Sequence, residues 1–243
     1  MRTHYLIVGA LATAVAAVAA FPAHAALQIA AQFGATTFTC VDNDASCDNS
    51  LATGTISLST QTIGGVTLTG SVQTSTGTLS NPGTDILNTS SLTAVNISGG
   101  TVAYIVTVSD TGFAGPVDSF NTSGSGVIQT GIGTTANQKW WADAANGQGA
   151  SDPNDTPGTL IDSSAFTAGS IAASYSHDGA GAFSAAGLFS MTEQISGTMT
   201  AGANVVNRGQ TEILFQAVPE PASMLILGAG LVGLGAAYRR RRA

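Results

Sequence analysis

The chain has 243 residues and carries 14 Asp and Glu against 7 Lys and Arg, a formal charge of −7. Such a chain lacks the basic face that nucleic-acid binding requires. At its start, Arg2 opens a short positive segment, Leu6 to Ala20 is apolar apart from Thr13, and Ala23-His24-Ala25 is a small-residue cleavage site. This is the layout of a secretory signal peptide, residues 1–25, cut after Ala25 by signal peptidase. An uncleaved N-terminal anchor is the alternative, and the short run and well-placed cleavage site count against it.

Residues 26–217 are then the exported domain, long enough for one sizeable core. It holds thirteen Asp and Glu against Lys139 and Arg208, a net of −11. Abundant Gly, Ser and Thr would fit disorder, but hydrophobic alternation argues against it. Ile56 and Leu58 share one face of GTISLST, and Val66, Leu68 and Val72 repeat the pattern. In TVAYIVTV, Val102, Tyr104, Val106 and Val108 oppose Ala103 and Ile105, which reads as a central strand buried on both faces. Phe189, Met191, Ile195 and Met199 alternate with polar residues, and Ile213 and Phe215 close the series. Period two recurs without a helical period, so the domain is predicted to be all-β. Turn signals at Gly64-Gly65, Asn81-Pro82-Gly83, Gly99-Gly100 and Gly115-Pro116 fit an antiparallel β-sandwich or a jelly-roll-like domain. Residues 121–165 break the alternation. NTSGSG and AANGQGASDPNDTPG flank Lys139-Trp140-Trp141, and the segment reads as a long loop-rich insertion. No fixed-period repeat supports a solenoid.

Cys40 and Cys47, the only cysteines, lie in the exported part, where a disulfide is expected. Between and beside them, Asp42, Asp44 and Asp48 alternate like the first half of a calcium loop. Cys47 and Thr53 then stand where such a loop needs Gly and Glu, so Ca²⁺ is only a weak candidate. Asp152, Asn154 and Asp155 form a second turn of the same kind. His177 is the one histidine left after signal cleavage. Ser176-His177-Asp178 imitates a triad in a row, but neighbours on a strand point apart, and a loop or turn histidine is expected. Glu193 and Glu212 fall within predicted strands. Trp140 and Trp141 are weak glycan candidates, since an exposed indole stacks on a sugar ring; ordinary packing is the competing expectation. No catalytic set emerges.

The tail has its own logic. Ala222 to Tyr238 contains no charge and, as a helix, spans about 25 Å, close to what crosses a bilayer core. Arg239, Arg240, Arg241 and Arg242 follow, which sets the C-terminus on the cytoplasmic side. Pro219-Glu220-Pro221 stays extended just before this transmembrane helix (222–238). Gly228 to Gly233 matches GxGxxG, but no polar βαβ unit follows it. A permanent membrane anchor would account for the physics. In order and spacing, Val218-Pro219-Glu220-Pro221, the apolar stretch and the Arg cluster resemble the PEP-CTERM sorting signal of Gram-negative bacteria. The resemblance covers residues 218–243 alone. It implies recognition and processing by exosortase, a membrane-embedded protease, after transient residence in the inner membrane. The destination it implies is the cell surface or the extracellular polysaccharide of a biofilm matrix. The expected function is that of a noncatalytic exported protein of this kind. The alternative is a carbohydrate- or calcium-binding module that uses the Trp140 segment or the Asp42 turn.

Overall fold

The computed structural model describes residues 27–75 and 84–215. The expected signal peptide, the Asn81-Pro82-Gly83 turn, the PEP motif, the transmembrane helix 222–238 and Arg239 to Arg242 lie outside the described residues. Twelve strands form two six-stranded antiparallel sheets. Sheet A runs β2 (Thr36–Val41), β1 (Gln28–Phe33), β6 (Val102–Ala114), β11 (Leu188–Met199), β8 (Thr135–Asp143), β9 (Thr159–Thr167). Sheet B runs β10 (Ala173–Ala185), β7 (Val117–Thr130), β12 (Asn204–Phe215), β5 (Thr84–Asn96), β4 (Val66–Ser75), β3 (Thr55–Ile63). The predicted all-β sandwich is therefore the observed one.

The inward faces are those the alternation marked. Ile56, Leu58, Val66, Leu68 and Val72 are buried on β3 and β4, and Val102, Tyr104, Val106 and Val108 on β6. Each such aliphatic side chain contributes roughly 1.5–3 kcal/mol on burial. Phe113 stacks on Phe189 with centroids 5.6 Å apart, and Phe33 on Tyr104 at 6.3 Å. Gly64 and Gly65 turn β3 into β4 at φ of 55° and 78°, and a Cβ on Gly64 would collide with the Phe33 carbonyl. Cys40 and Cys47 are joined as expected, with Cα atoms 6.0 Å apart.

Two expectations need correction. Residues 121–165 are not a loop-rich insertion. They contain most of β7, all of β8 and part of β9, and the only long loop among them is 144–158. The inward positions of these strands include Thr122, Gly124, Ala136 and Gln138, which leave no hydrophobic alternation to read. Strand β6 is indeed buried on both faces, but not through Ala103, which is exposed, or Ile105, which is half-buried. Its second face is covered further along, at Thr107 and Ser109, by the 144–158 loop. The Thr107 hydroxyl donates to the Pro153 carbonyl at 2.6 Å, and Gly149 N–H donates to Ser109 Oγ at 3.2 Å. That loop roofs part of the outer face of sheet A.

The sandwich has two unlike ends. The connections 34–35, 64–65, 97–101, 131–134, 168–172 and 200–203 all gather at one of them. Leu27, Phe215 and the 42–54 and 144–158 loops lie at the other.

Candidate functional site

Strands β10, β7, β12 and β5 turn their inward alternates to the core and so present a second, polar set outward. On β12 that set is Arg208, Gln210 and Glu212, because Asn207, Gly209 and Thr211 point in. The register carries one row across the sheet, from Asp178 through Ser123 and Gln210 to Asn88. A second row passes from Ser176 through Ser125 to Arg208, where a bulge on β5 sets two residues, Ser90 and Ser91, against one. Two adjoining hollows follow these rows. One, of about 450 Å³, is lined by Asn88, Ser90, Asp178 and Arg208 among others; the next, of about 410 Å³, reaches Asn121 and Glu212. They share Ser123, Asp178 and Gln210. Asn121 Nδ2 donates to Glu212 Oε2 at 3.2 Å, which leaves the rest of the carboxylate facing solvent. The result is an open groove of hydroxyls, amides and carboxylates around one cation, Arg208.

Beneath the groove the core is polar. Glu193 on β11 is 4% exposed, with no basic side chain among the described residues bonded to it. Burial pushes its carboxyl up to about 8, against the hydrogen bond from Thr211. Thr211 Oγ1 donates to Oε1 at 3.0 Å, while the Thr89 hydroxyl donates to the Gly209 carbonyl at 3.2 Å. Gln138 Nε2 and Tyr175 Oη both donate to Asn207 Oδ1 at 2.7 Å. Glu193 Oε2 and Gln138 Oε1 have no partner, and both residues line a cavity of about 10 Å³, the size of one water. Orphan acceptors on residues that line one cavity favour a neutral carboxyl that can donate, which agrees with the raised value.

His177 is not in a loop or turn. It lies inward on β10, where its ring stacks on Trp140 at 5.6 Å and Nε2 meets Asp162 Oδ2 of β9 at 2.8 Å. Thr122 donates to the same carboxylate oxygen. Burial opposes ionisation of Asp162, but the bonds from Thr122, His177 and the Ser163 N–H outweigh it and hold the carboxyl below its usual range. A Cβ on Gly179 would strike this carboxylate, so Gly179 makes room for it. Ser176 and Asp178 point to the opposite face, and the consecutive triplet does not assemble. The pair instead ties the edge of sheet A to the edge of sheet B.

The other predicted residues are distributed as follows. Trp140 and Trp141 sit on β8 rather than in a loop, Trp140 buried at 1% exposure and Trp141 half-buried on the outer face of sheet A. The Asp42, Asp44 and Asp48 carboxylates bind their own loop. Asp48 accepts from the N–H groups of Asn43, Ser50 and Ser57 at 2.8–3.0 Å, and Asp42 from Gly54 N–H at 2.8 Å. Asp44 accepts from the Ser46 N–H and hydroxyl, which lower its pKa. Asp152 and Asp155 likewise accept from Asn154 and Ser151. No group of three His, Cys, Asp or Glu side chains suited to a metal occurs among the described residues. Glu193 and Glu212 are on strands as expected, one in the core and one in the groove.

Sequence reasoning missed the groove and the Asp162 partner. The alternation of Arg208, Gln210 and Glu212, which includes one of only two basic residues in the exported part, was the available signal.

The described residues thus form a two-sheet β-sandwich with an open polar face on sheet B, borne on a chain whose C-terminus is an address. Residues 217–242 match the family model described as the PEP-CTERM protein-sorting motif. The tail is that motif, and it implies an exported chain that exosortase processes, bound for the surface or exterior of a Gram-negative bacterium. No curated protein matches the chain. Among solved structures, it is similar to TmCBM61 in complex with β-1,4-galactotriose, at 9% identity and a TM-score of 0.32, over 52% of this chain and 80% of that one. It is similar also to the carbohydrate-binding module CBM6cm-2 of Cellvibrio mixtus lichenase 5A, at 13% identity and TM-score 0.26, over 62% and 90%. A cleaved adhesin domain of Lys-gingipain from Porphyromonas gingivalis aligns at 9% identity and TM-score 0.30, over 62% and 74%. At these TM-scores the likeness carries no function across.

Proposed function

We propose that the exported domain is a noncatalytic glycan-binding protein of the cell surface or the exopolysaccharide matrix, and that the outer face of sheet B holds the glycan. One observation supports this reading: the continuous groove of Asn, Gln, Ser and carboxylate side chains that crosses β10, β7, β12 and β5. Such side chains match the alternating donors and acceptors of sugar hydroxyls, and a carboxylate accepts from two neighbouring hydroxyls at once. The net charge of −11 opposes a polyanion, so the glycan is neutral, with Arg208 donating to ring or hydroxyl oxygens. The test is affinity electrophoresis of the mature protein in gels cast with neutral polysaccharides. Retardation should occur and should fall in Gln210→Ala and in Asp178→Ala. A protein that no glycan retards, or whose retardation is untouched by both substitutions, would refute the assignment.

A further inference from the structure

The end of the sandwich away from Leu27 and Phe215 has a composition unlike the rest. Its six connections, 34–35, 64–65, 97–101, 131–134, 168–172 and 200–203, contain no Asp, Glu, Lys or Arg. The charged residues of the domain lie on the strands and in the loops of the opposite end, Asp42, Asp44, Asp48, Asp152 and Asp155 among them. Three of the uncharged connections expose an isoleucine at the tip: Ile97 at 60%, Ile132 at 60% and Ile171 at 67%.

These loops brace one another. Ala172 N–H donates to Gln129 O at 3.1 Å and Gly133 N–H to Ala168 O at 2.8 Å, which ties the Ile171 loop to the Ile132 loop. Thr130 Oγ1 donates to Gly202 O at 2.7 Å, and Asn96 Nδ2 spans to the carbonyls of Gly100, Met199 and Thr200. The series runs from Ile171 through Ile132 to Ile97, so little ordering remains to oppose binding.

We propose that this end is a self-association surface, where two copies of the chain meet head to head with their Phe215 ends apart. The argument is one of charge. A domain of net −11 repels its own copy wherever its carboxylates would face each other. At the loop end two copies approach with no like charge in the contact and three isoleucines each to bury. Exposed apolar side chains framed by polar ones are the usual composition of such surfaces. The area is that of one sandwich end, so a single contact is weak, and many copies on facing surfaces would hold by multivalency. Since Phe215 leaves from the opposite end, a pair formed this way joins two surfaces rather than two neighbours on one.

The experiment is sedimentation velocity on the mature exported protein across a concentration series. Its mass should rise toward the dimer with concentration. The variant carrying Ile97→Ser, Ile132→Ser and Ile171→Ser should stay monomeric with an unchanged melting temperature. A second variant, Ser98→Asp with Ser170→Asp, keeps the isoleucines and adds like charge; its pairing should fail at low salt and return at high salt. A protein monomeric at every concentration, or a dimer that survives both variants, overturns the proposal. So does flotation of the wild type on phosphatidylcholine vesicles that the triple variant abolishes, which would assign the tips to a lipid surface.

Discussion

Replacing Glu193 by Gln keeps the shape and the bond from Thr211 and removes a buried carboxyl whose pKa burial raises. The folded-state pKa of about 8 lies above the reference of 4.5. Between those values the native state holds a proton that the unfolded state has lost, so stability falls as pH rises. At about 1.4 kcal/mol per unit, the wild type loses on the order of 5 kcal/mol from pH 4.5 to pH 8. For a domain of this size that is roughly 10–20 °C in melting temperature. Glu193→Gln has no proton to lose there. Thermal unfolding followed by tryptophan fluorescence, at unit steps from pH 5 to pH 9, separates the two. The wild-type curve should descend relative to that of the variant and flatten above pH 8, with the variant the more stable at pH 9. Parallel curves, or a wild type that gains on the variant as pH rises, would refute the burial argument.

Asp162→Asn should cost about 1–3 kcal/mol at neutral pH, because one oxygen serves both Thr122 and His177. Its depressed pKa places the wild-type loss in acid: the contribution is present above the unfolded value and disappears as pH falls through the folded one, so the two proteins should converge below about pH 4 in urea titrations. Asp48→Ala removes the acceptor of three loop N–H groups and should lower stability by about 2–3 kcal/mol. Millimolar Ca²⁺ should raise the melting temperature no more than NaCl of equal ionic strength, since these carboxylates already serve their own loop; a calcium-specific rise abolished by Asp44→Asn would contradict this. Glu220→Ala should leave the melting temperature unchanged and retain the protein in the inner membrane, which cell fractionation would detect.

What could be read from the sequence tracks what hydrophobic alternation can register. Strands β3, β4, β6 and β11 announce themselves because their inward residues are Ile, Leu, Val, Phe and Met. Strands β7 and β8 do not, because Thr122, Gly124 and Gln138 occupy core positions where the interior is a hydrogen-bonded network instead of oil. The same network hid the histidine's role: its partner Asp162 is brought from another sheet, and sequence distance gives no hint of that. The disulfide was legible from two cysteines and an oxidising destination. The groove was half legible. Arg208, Gln210 and Glu212 alternate visibly on one strand, but their neighbours Asp178, Ser123 and Asn88 arrive through register, which only the folded sheets define.

Strand β12 lies between β7 and β5, in the middle of sheet B. Without it that sheet exists only as two fragments, β10 with β7 and β5 with β4 and β3. Yet β12 is the last strand of the domain, and it ends at Phe215, immediately before the sorting motif. A chain threaded N-terminus first through a membrane therefore cannot close its sandwich until almost all of it has emerged. Distant pairings of this kind make closure slow in any case. In a chain exported this way, the strand that completes the sandwich reaches the outside last, beside the signal that decides where it goes.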